Sequence, residues 1–255
     1  MPFTAKSGKF NASIKTVTIG TGDKAITLGG ENALPLQSFD APFANAPKVG
    51  IEITDFGMEH EPECIQKYYE GCSTIGEIAK KAASFEGVDF LSFRLEGGDP
   101  NGANKSTEEL IGLVKEVAEA VDLPLVICGS KNAERDAELL GKAAEAVQGK
   151  NALILAAKEE NYKTVGAAAG LAYNQVVGAE SSVDINLAKQ LNVLLSQLGV
   201  KPESVVMNVG TAAAGYGYEY VASTMQRIKS AALSQNDAQL QMPIITPVAS
   251  ETWST

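Results

Sequence analysis

Short apolar runs alternate with helix-like stretches along most of the chain. Each run is rich in valine, isoleucine or leucine, and seven of them occur after residue 47. The stretches between them carry apolar residues at three- and four-residue spacing, as in STEELIGLVKEVAEAV (106–121). This alternation of strand and helix predicts a parallel sheet covered by helices. The seven predicted strands lie within 48–55, 89–97, 124–130, 152–158, 175–181, 204–210 and 242–249.

A different pattern precedes these runs. The segment IKTVTIGTGDKAITLGGEN (14–32) contains two alternating, β-branched runs joined by GTGD. Period-two alternation around a glycine-rich turn predicts a β hairpin, and a hairpin in this position can plug one end of a closed sheet. We therefore divide the chain into a hairpin and lead-in segment, 1–46, and a β/α barrel domain, 47–255.

The strand count distinguishes two architectures for the parallel sheet. A doubly wound sheet usually carries a phosphate-binding GxGxxG loop after its first strand, but here that strand runs into ITDFGMEHEPE (53–63). A closed TIM-type barrel has eight strands, one more than the pattern shows. The sequence thus favours an α/β fold of the β/α-barrel type that lacks its eighth unit. C-terminal truncation, or completion of the barrel by another segment, follows from this interpretation.

Composition and charge narrow the function classes. The chain of 255 residues is 45% hydrophobic and has a net charge of −10, so nucleic acids and anionic membranes are repelled on average. No signal peptide or membrane-spanning apolar stretch is recognisable, and the three cysteines form no CxxC pair. We expect a cytoplasmic protein in which Cys64, Cys72 and Cys128 are buried apolar side chains.

Polar residues follow the predicted strands, where β/α barrels carry their functional sites. They are amides, hydroxyls and glycines more often than the usual catalytic groups. The polar residues at these ends are Asp55, Glu96, Asp99, Asn101, Asn104, Ser130, Lys158, Glu159, Asn161, Tyr162, Ser181, Asp184, Asn186, Asn208, Ser250 and Glu251.

Several barrel chemistries fit these residues poorly. A zinc hydrolase needs clustered histidines, and the chain has one histidine, His60. A Schiff-base enzyme needs a desolvated lysine, but the EEN sequence after Lys158 would keep that lysine charged. The last strand runs into IITPVASETW (244–253), which lacks the glycines of a phosphate site, and no GxSxG motif occurs. What remains is a mouth that suits a large ligand bearing amide and carbonyl groups.

Six segments carry a resemblance to a known family. They are LGGENALPL (28–36), RLEGGDPNGANKS (94–106), EENYKTVGAAA (159–169), SSVDINLAKQLNVLL (181–195), GYGYEYVASTMQRIKSAAL (215–233) and MPIITPVASETW (242–253). In this order, along nearly the whole chain, they resemble the small (delta) subunit of the corrinoid iron–sulfur protein of the CO dehydrogenase/acetyl-CoA synthase system.

The resemblance implies a non-catalytic subunit of a methyl carrier. In the family, a β/α barrel pairs with a large (gamma) subunit that holds a [4Fe–4S] cluster and a B12-binding domain. The cobalamin lies between that domain and the barrel mouth, takes a methyl group from a methyl-tetrahydropterin through a separate pterin methyltransferase, and passes it to acetyl-CoA synthase. This chain has neither a DxHxxG motif nor a cysteine set for a cluster, so cobalt ligation and electrons would come from the partner.

The resemblance directs the site prediction to the strand-end loops. We expect cofactor contacts first from the loop Asp99–Asn104, then from VDIN and GYGYE, and assign no catalytic or metal-ligating residue. The predicted cofactor-binding residues are Asp99, Asn101, Asn104, Asn161, Asp184, Asn186, Asn208, Gly215, Tyr216 and Gly217. Helix capping, turn formation and packing are the structural alternatives for these residues.

Two other functions stay open at this point. One is a stand-alone pterin-dependent barrel methyltransferase, because such barrels also present Asp and Asn at strand ends. The other is a purely structural subunit that docks the methyltransferase and whose mouth is empty. Turnover by the isolated chain would indicate the first, and cobalamin retention unaffected by changes at the mouth would indicate the second.

Overall fold

The computed structural model describes residues 8–34 and 40–251. All seven predicted runs contain a strand, and the predicted hairpin is present, with its two strands paired antiparallel. The hairpin strands are β1 (Val17–Ile19) and β2 (Ile26–Leu28). The sheet strands are β3 (Gly50–Thr54), β4 (Phe90–Arg94), β5 (Leu125–Cys128), β6 (Leu153–Ala157), β7 (Val176–Glu180), β8 (Val205–Asn208) and β9 (Ile244–Ile245).

Helices follow each strand from β3 to β8. They are α1 (Glu63–Gln66), α2 (Ile75–Ala83), α3 (Thr107–Ala120), α4 (Ala133–Ala146), α5 (Tyr162–Val165), which continues as a π-helical segment (Gly166–Ala172), α6 (Ile185–Leu198) and α7 (Tyr218–Ser234). Helix α3 begins at a side-chain cap, because the backbone N–H of Glu109 donates to the Ser106 hydroxyl. No helix among the described residues combines the length and apolar character needed to cross a bilayer.

The seven sheet strands are all parallel and lie side by side in chain order, from β3 to β9. A doubly wound sheet would reverse its strand order at one point, and this sheet does not. The sheet curls, and its order and direction match those of a TIM-type barrel that lacks one unit. The fold prediction is therefore confirmed at this level.

Two apolar clusters lie on the two faces of the curled sheet. Residues such as Leu91 and Phe93 point outward and pack beneath the helices in the larger cluster. The alternate positions, including Val126, Leu153 and Val176, point into the interior, here called the lumen. Because successive strand side chains point to opposite faces, each strand serves both clusters.

The hairpin closes the N-terminal end of the lumen. Its apolar side chains Val17 and Ile19 belong to the inner cluster. The backbone N–H of Gly20 donates to the carbonyl of Asn151, just before β6, at 2.8 Å, and the Asn151 amide donates to the Thr18 carbonyl at 2.8 Å. A Cβ at position 20 would lie 2.7 Å from Cγ of Pro124. The chain therefore needs glycine at position 20, where the hairpin meets the start of β5.

One side of the barrel is open. Within the described residues, β3 and β9 are edge strands that do not pair with each other. A cavity of about 600 Å³ lies between them and is also lined by the hairpin, the lead-in segment and one face of α7. This opening occupies the position predicted for the missing eighth unit.

Candidate functional site

Polar side chains fill the half of the lumen nearest the C-terminal strand ends. We call this set the polar layer. Its members lie on β3 to β8 or directly after them, and all but Glu52 and Ser92 stand at or next to a strand end. They are Glu52, Ser92, Arg94, Cys128, Lys158, Glu180 and Asn208.

An ion pair joins the first two strands in this layer. Arg94 donates from Nε to Glu52 Oε1 at 2.9 Å and from Nη2 to Glu52 Oε2 at 2.8 Å. Both side chains are 9% exposed. Burial alone would lower the pKa of Arg94, but the adjacent Cys128 and the hydrogen-bonded Glu52 outweigh it and hold that pKa above its ordinary value. Two parallel charge-assisted bonds fix the pair in one geometry.

The thiol of Cys128 lies beside this pair. Its Sγ is 3.3 Å from the Ser92 hydroxyl, and burial raises its pKa to about 11, with Arg94 offsetting part of the effect. The thiol is therefore protonated and unreactive at neutral pH. The prediction of buried cysteines is correct for Cys128 and wrong for Cys64, which is exposed on the short helix α1. Cys72 is only partly buried and packs against the larger apolar cluster.

A second ion pair stands on the opposite side of the layer. Lys158 Nζ lies 3.3 Å from Glu180 Oε1, and the Asn208 amide donates to Glu180 Oε2 at 3.1 Å. Glu180 is thus the ion-pair partner of this lysine, whereas the adjacent Glu159 and Glu160 are exposed. A lysine held in this way is not poised as a nucleophile.

The loop after β4 is anchored from below by Asp55. Gly97 N–H donates to Asp55 Oδ1 at 2.9 Å, and Lys105 Nζ lies 2.8 Å from Asp55 Oδ2 and 4.5 Å from the centre of the Phe56 ring. A Cβ at position 97 would stand 2.3 Å from Asp55 Oδ2. These contacts hold both ends of the loop, at Gly97 and Lys105, and so fix its position over the mouth.

Within that loop, the predicted residues form a polar turn. Asp99 Oδ1 accepts from the backbone N–H of Asn101 at 2.9 Å and from its side-chain amide at 3.3 Å. Asn104 adopts a positive φ of 49°, a conformation that asparagine tolerates better than most residues. Asn101 and Asn104 are exposed and Asp99 is partly exposed. The turn explains why the segment is so polar, and it leaves the Asn104 amide without a partner among the described residues.

Two predicted asparagines are buried in the scaffold. Asn161 accepts from the Lys158 N–H at 2.8 Å and donates to the Ala133 carbonyl at 3.0 Å. Asn208 donates to Glu180 and accepts from the Gly210 N–H at 2.9 Å. Both are 3% exposed. Their amides therefore organise the strand ends from below rather than facing outward.

The remaining predicted residues lie on the outer edge of the mouth. We call this edge, together with the loop Asp99–Asn104, the rim. Asp184 caps α6 by accepting from the N–H groups of Asn186 and Leu187, so the capping alternative holds for this carboxylate. The Asn186 side chain is exposed and has no partner within the described chain. Gly215 (φ 76°) and Gly217 (φ 123°) shape the turn before α7, and Tyr216 between them is 89% exposed. Packing therefore does not account for Tyr216.

Sequence reasoning missed most of the polar layer. Glu52, Arg94 and Glu180 are not among the predicted site residues, because that prediction rests on the loops that follow the strands. A signal was present, since Ser92 and Arg94 alternate with Leu91, Phe93 and Leu95 in LSFRL (91–95). In a strand flanked by helices, polar residues at every second position must face the lumen.

Comparison with known proteins decides the family. Residues 16–254 match the family model described as "CO dehydrogenase/acetyl-CoA synthase delta subunit". The chain belongs to this family. The resemblance seen in the sequence is therefore confirmed for the family.

Several curated members of the family are about one-third identical to the chain. It is similar to the acetyl-CoA decarbonylase/synthase complex subunit delta of Methanothermobacter thermautotrophicus, with 35% identity over 238 residues, 92% of this chain and 60% of that protein. Subunit delta 1 of Methanosarcina thermophila is 35% identical over 88% of this chain and 51% of its own length. The Archaeoglobus fulgidus subunit delta is 32% identical over 88% and 50%. The chain thus spans about half to three-fifths of the length of these relatives.

Proposed function

We propose that this chain forms one wall of a cobalamin site in a methyl-carrier protein and is not catalytic alone. One observation carries the proposal. In the polar layer every charged side chain is paired inside the chain, whereas the rim above it presents free amides. General acid–base catalysis needs a titratable group that can reach the substrate, and the mouth instead offers groups suited to binding.

The rim residues fit a ligand of corrinoid chemistry. A corrinoid carries carboxamide side chains around a broad ring, and each needs hydrogen-bond donors and acceptors. Asn104 and Asn186 supply exposed amides with both functions. Asn101 supplies a further amide, which also donates to Asp99, and the Asp99 carboxylate supplies acceptors. Tyr216 offers an exposed ring and hydroxyl, and Gly215 and Gly217 let the backbone approach closely. These residues would hold the cofactor from one side.

The cofactor would supply the methyl-carrying chemistry when bound, and this chain would orient it and exclude water. The large (gamma) subunit of the corrinoid iron–sulfur protein would supply the iron–sulfur cluster and the other wall. A pterin methyltransferase and acetyl-CoA synthase would be the methyl donor and acceptor proteins. The relatives named above are subunits of a complex, which supports the expectation of partner subunits.

Substitution on the rim tests this role. Asn186→Ala removes a free amide at an exposed helical position where alanine is well tolerated. In the pair with the large subunit, we expect about a three- to tenfold loss of cobalamin affinity, because one hydrogen bond is worth about 1 kcal/mol. The double variant Asp99→Ala with Asn101→Ala should weaken retention further. Cobalt per heterodimer after dialysis is the measurement.

The matched control is Gln190→Ala. Gln190 is exposed on the same helix one turn further from the mouth, so cobalt content should stay at the wild-type level. Wild-type cobalt content in the double variant, with an unchanged circular dichroism spectrum, would refute the proposed role of the rim.

A further inference from the structure

A small pocket lies beneath the rim, between the two ion pairs of the polar layer. Its volume is about 40 Å³. A cavity needs about 10–15 Å³ to hold one water molecule, so the pocket has room for about three small heavy atoms. The charged and amide side chains that line it are Arg94, Lys131, Asp136, Lys158, Glu180 and Asn208, and the Cys128 thiol lies beside them.

Two cationic groups keep unused donors at this pocket. Arg94 is 8% exposed and places Nε and Nη2 on Glu52, while Nη1 has no hydrogen-bond partner within the described chain. Lys158 has contacts with Glu180 at 3.3 Å and the Lys131 carbonyl at 3.4 Å. Since an ammonium group has three protons, one donor remains. A guest in the pocket therefore competes with water for the free Arg94 donor and has to offer it an acceptor.

An acceptor faces these donors. Glu180 Oε1 contacts Lys158, and Oε2 accepts from Asn208. An ionised carboxylate can accept about four hydrogen bonds, so Glu180 retains unused acceptor sites. The pocket therefore combines free donors and a free acceptor within a few heavy atoms of one another.

The charges around the pocket balance once the ion-pair partner of Arg94 is included. The lining cations are Arg94, Lys131 and Lys158, and the lining anions are Asp136 and Glu180. Glu52, which does not line the pocket, supplies the third negative charge through its pair with Arg94. Ser130 donates twice to Asp136 Oδ1 at 2.7 Å. A guest carboxylate or ammonium would add an uncompensated charge to a partly buried site, which is unfavourable. A neutral group with both a donor and an acceptor meets no such penalty.

We propose that this pocket binds a primary carboxamide group, whose oxygen accepts from Arg94 and Lys158 and whose nitrogen donates to Glu180. A carboxamide has three heavy atoms, is neutral, and is both donor and acceptor. The inference rests on the proposed function in one respect: the carboxamide would be a side chain of the corrinoid. The polar layer then acts as the specificity-determining part of the wall, below the rim.

Titration of the full chain with three small probes tests the pocket directly. Propionamide, propionate and propylammonium have similar size and differ in charge. In amide-resolved NMR, we expect propionamide to shift the signals of Gly129 and Lys158 with millimolar affinity, at least about fivefold tighter than either ion. Equal binding of all three probes would overturn the proposal, because the pocket would then not select a carboxamide. No shift with propionamide would also overturn it and would leave a pocket for water only.

Charge variants give a readout that a merely structural role would not produce. Glu180→Gln leaves a net positive pocket, so the preference should switch toward propionate. Lys158→Met leaves a net negative pocket, so the preference should switch toward propylammonium. Gln190→Ala should change nothing. An unchanged preference in both charge variants would overturn the proposal.

A separate experiment tests whether the guest of this pocket is a side chain of the corrinoid. In the heterodimer, Glu180→Gln should lower cobalt retention about tenfold. If the wild-type pair holds cobalt and this variant holds it equally well, the corrinoid side chain is not the guest and this inference fails, while the proposed function stands. If the wild-type pair holds no cobalt although propionamide binds, the proposed function fails.

Discussion

The two ends of the barrel lumen are filled by opposite kinds of side chain. At the N-terminal end, the hairpin residues Val17 and Ile19 pack against Leu153 and Val176 with no charge between them. At the C-terminal end, the polar layer holds two ion pairs and a protonated thiol. The same strands build both ends, so the difference lies in which residue occupies each inward position.

The two ends of the lumen contribute differently to the stability of the fold. Apolar burial at the plugged end stabilises the fold at about 25 cal/mol per Å² of surface removed from water. Burying charges at the other end costs free energy that pairing only partly returns. A chain selected for stability alone would fill both ends with apolar residues. The polar layer therefore supports the binding role proposed for the mouth.

The largest effect is expected from breaking the buried ion pair. Glu52→Gln leaves the Arg94 guanidinium without a counter-charge at 9% exposure, and we expect a loss of about 3–5 kcal/mol in the free energy of unfolding. Urea denaturation measures it. The double variant Glu52→Gln with Arg94→Met should recover most of the loss, and a double variant as unstable as the single one would show that the pair is not the cause.

At the plugged end, truncating an apolar side chain should lower the free energy of unfolding by leaving a cavity, without leaving any charge unpaired. Leu153→Ala in the fully buried inner cluster should cost about 3 kcal/mol, with Leu153→Met costing less than about 1.5 kcal/mol. Neither variant should alter propionamide binding at the mouth. A change in that binding equal to the change from Lys158→Met would mean that the two ends are not independent.

Cys128 makes stability at the polar end depend on alkaline pH. Burial raises the pKa of the folded thiol to about 11 from an ordinary 9.0. Between those values the unfolded thiol ionises and the folded one does not, so stability falls as pH rises from 9 to 11 and then levels off. Wild type should lose on the order of 2 kcal/mol more than Cys128→Ala across this window. Urea midpoints measured across this pH range give the comparison. If the midpoints of the two proteins fall by the same amount, the loss of stability does not come from this thiol.

The smallest effect should come from an exposed ion pair near the plugged end. Lys15 and Glu203 are 2.9 Å apart but 30% and 55% exposed. Lys15→Met should therefore cost less than about 1 kcal/mol, and high salt should erase the difference. The pair differs from Glu52–Arg94 in burial and in having one contact in place of two parallel bonds. Equal costs for breaking the two pairs would contradict the importance of burial at the polar end.

The sequence predicted the architecture well because hydrophobic periodicity reports it directly. All seven strands and the hairpin follow from local patterns. The strand-end rule placed the rim residues on one edge of the sheet. It did not distinguish Asn161 and Asn208, which are buried, from Asn104 and Asn186, which are exposed, since that depends on contacts between distant segments.

The ion pairs of the polar layer could not be predicted from the sequence, because each pair joins residues on different strands. Glu52 meets Arg94 because β3 and β4 are neighbours in register. Lys158 meets Glu180 because β6 and β7 are neighbours, with a bulge between Leu155 and Ala157. Alternation alone shows that such residues face inward. Only the register shows which of them pair.

The central claim, that the mouth houses a cobalamin shared with a large subunit, is tested most directly by metal content. Cobalt and iron should be measured in this chain purified alone and in the chain co-expressed with a candidate gamma subunit. The account predicts cobalt only in the pair and iron confined to the partner. If the isolated chain instead binds a methyl-tetrahydropterin and turns it over, it is a stand-alone methyltransferase and the account is wrong.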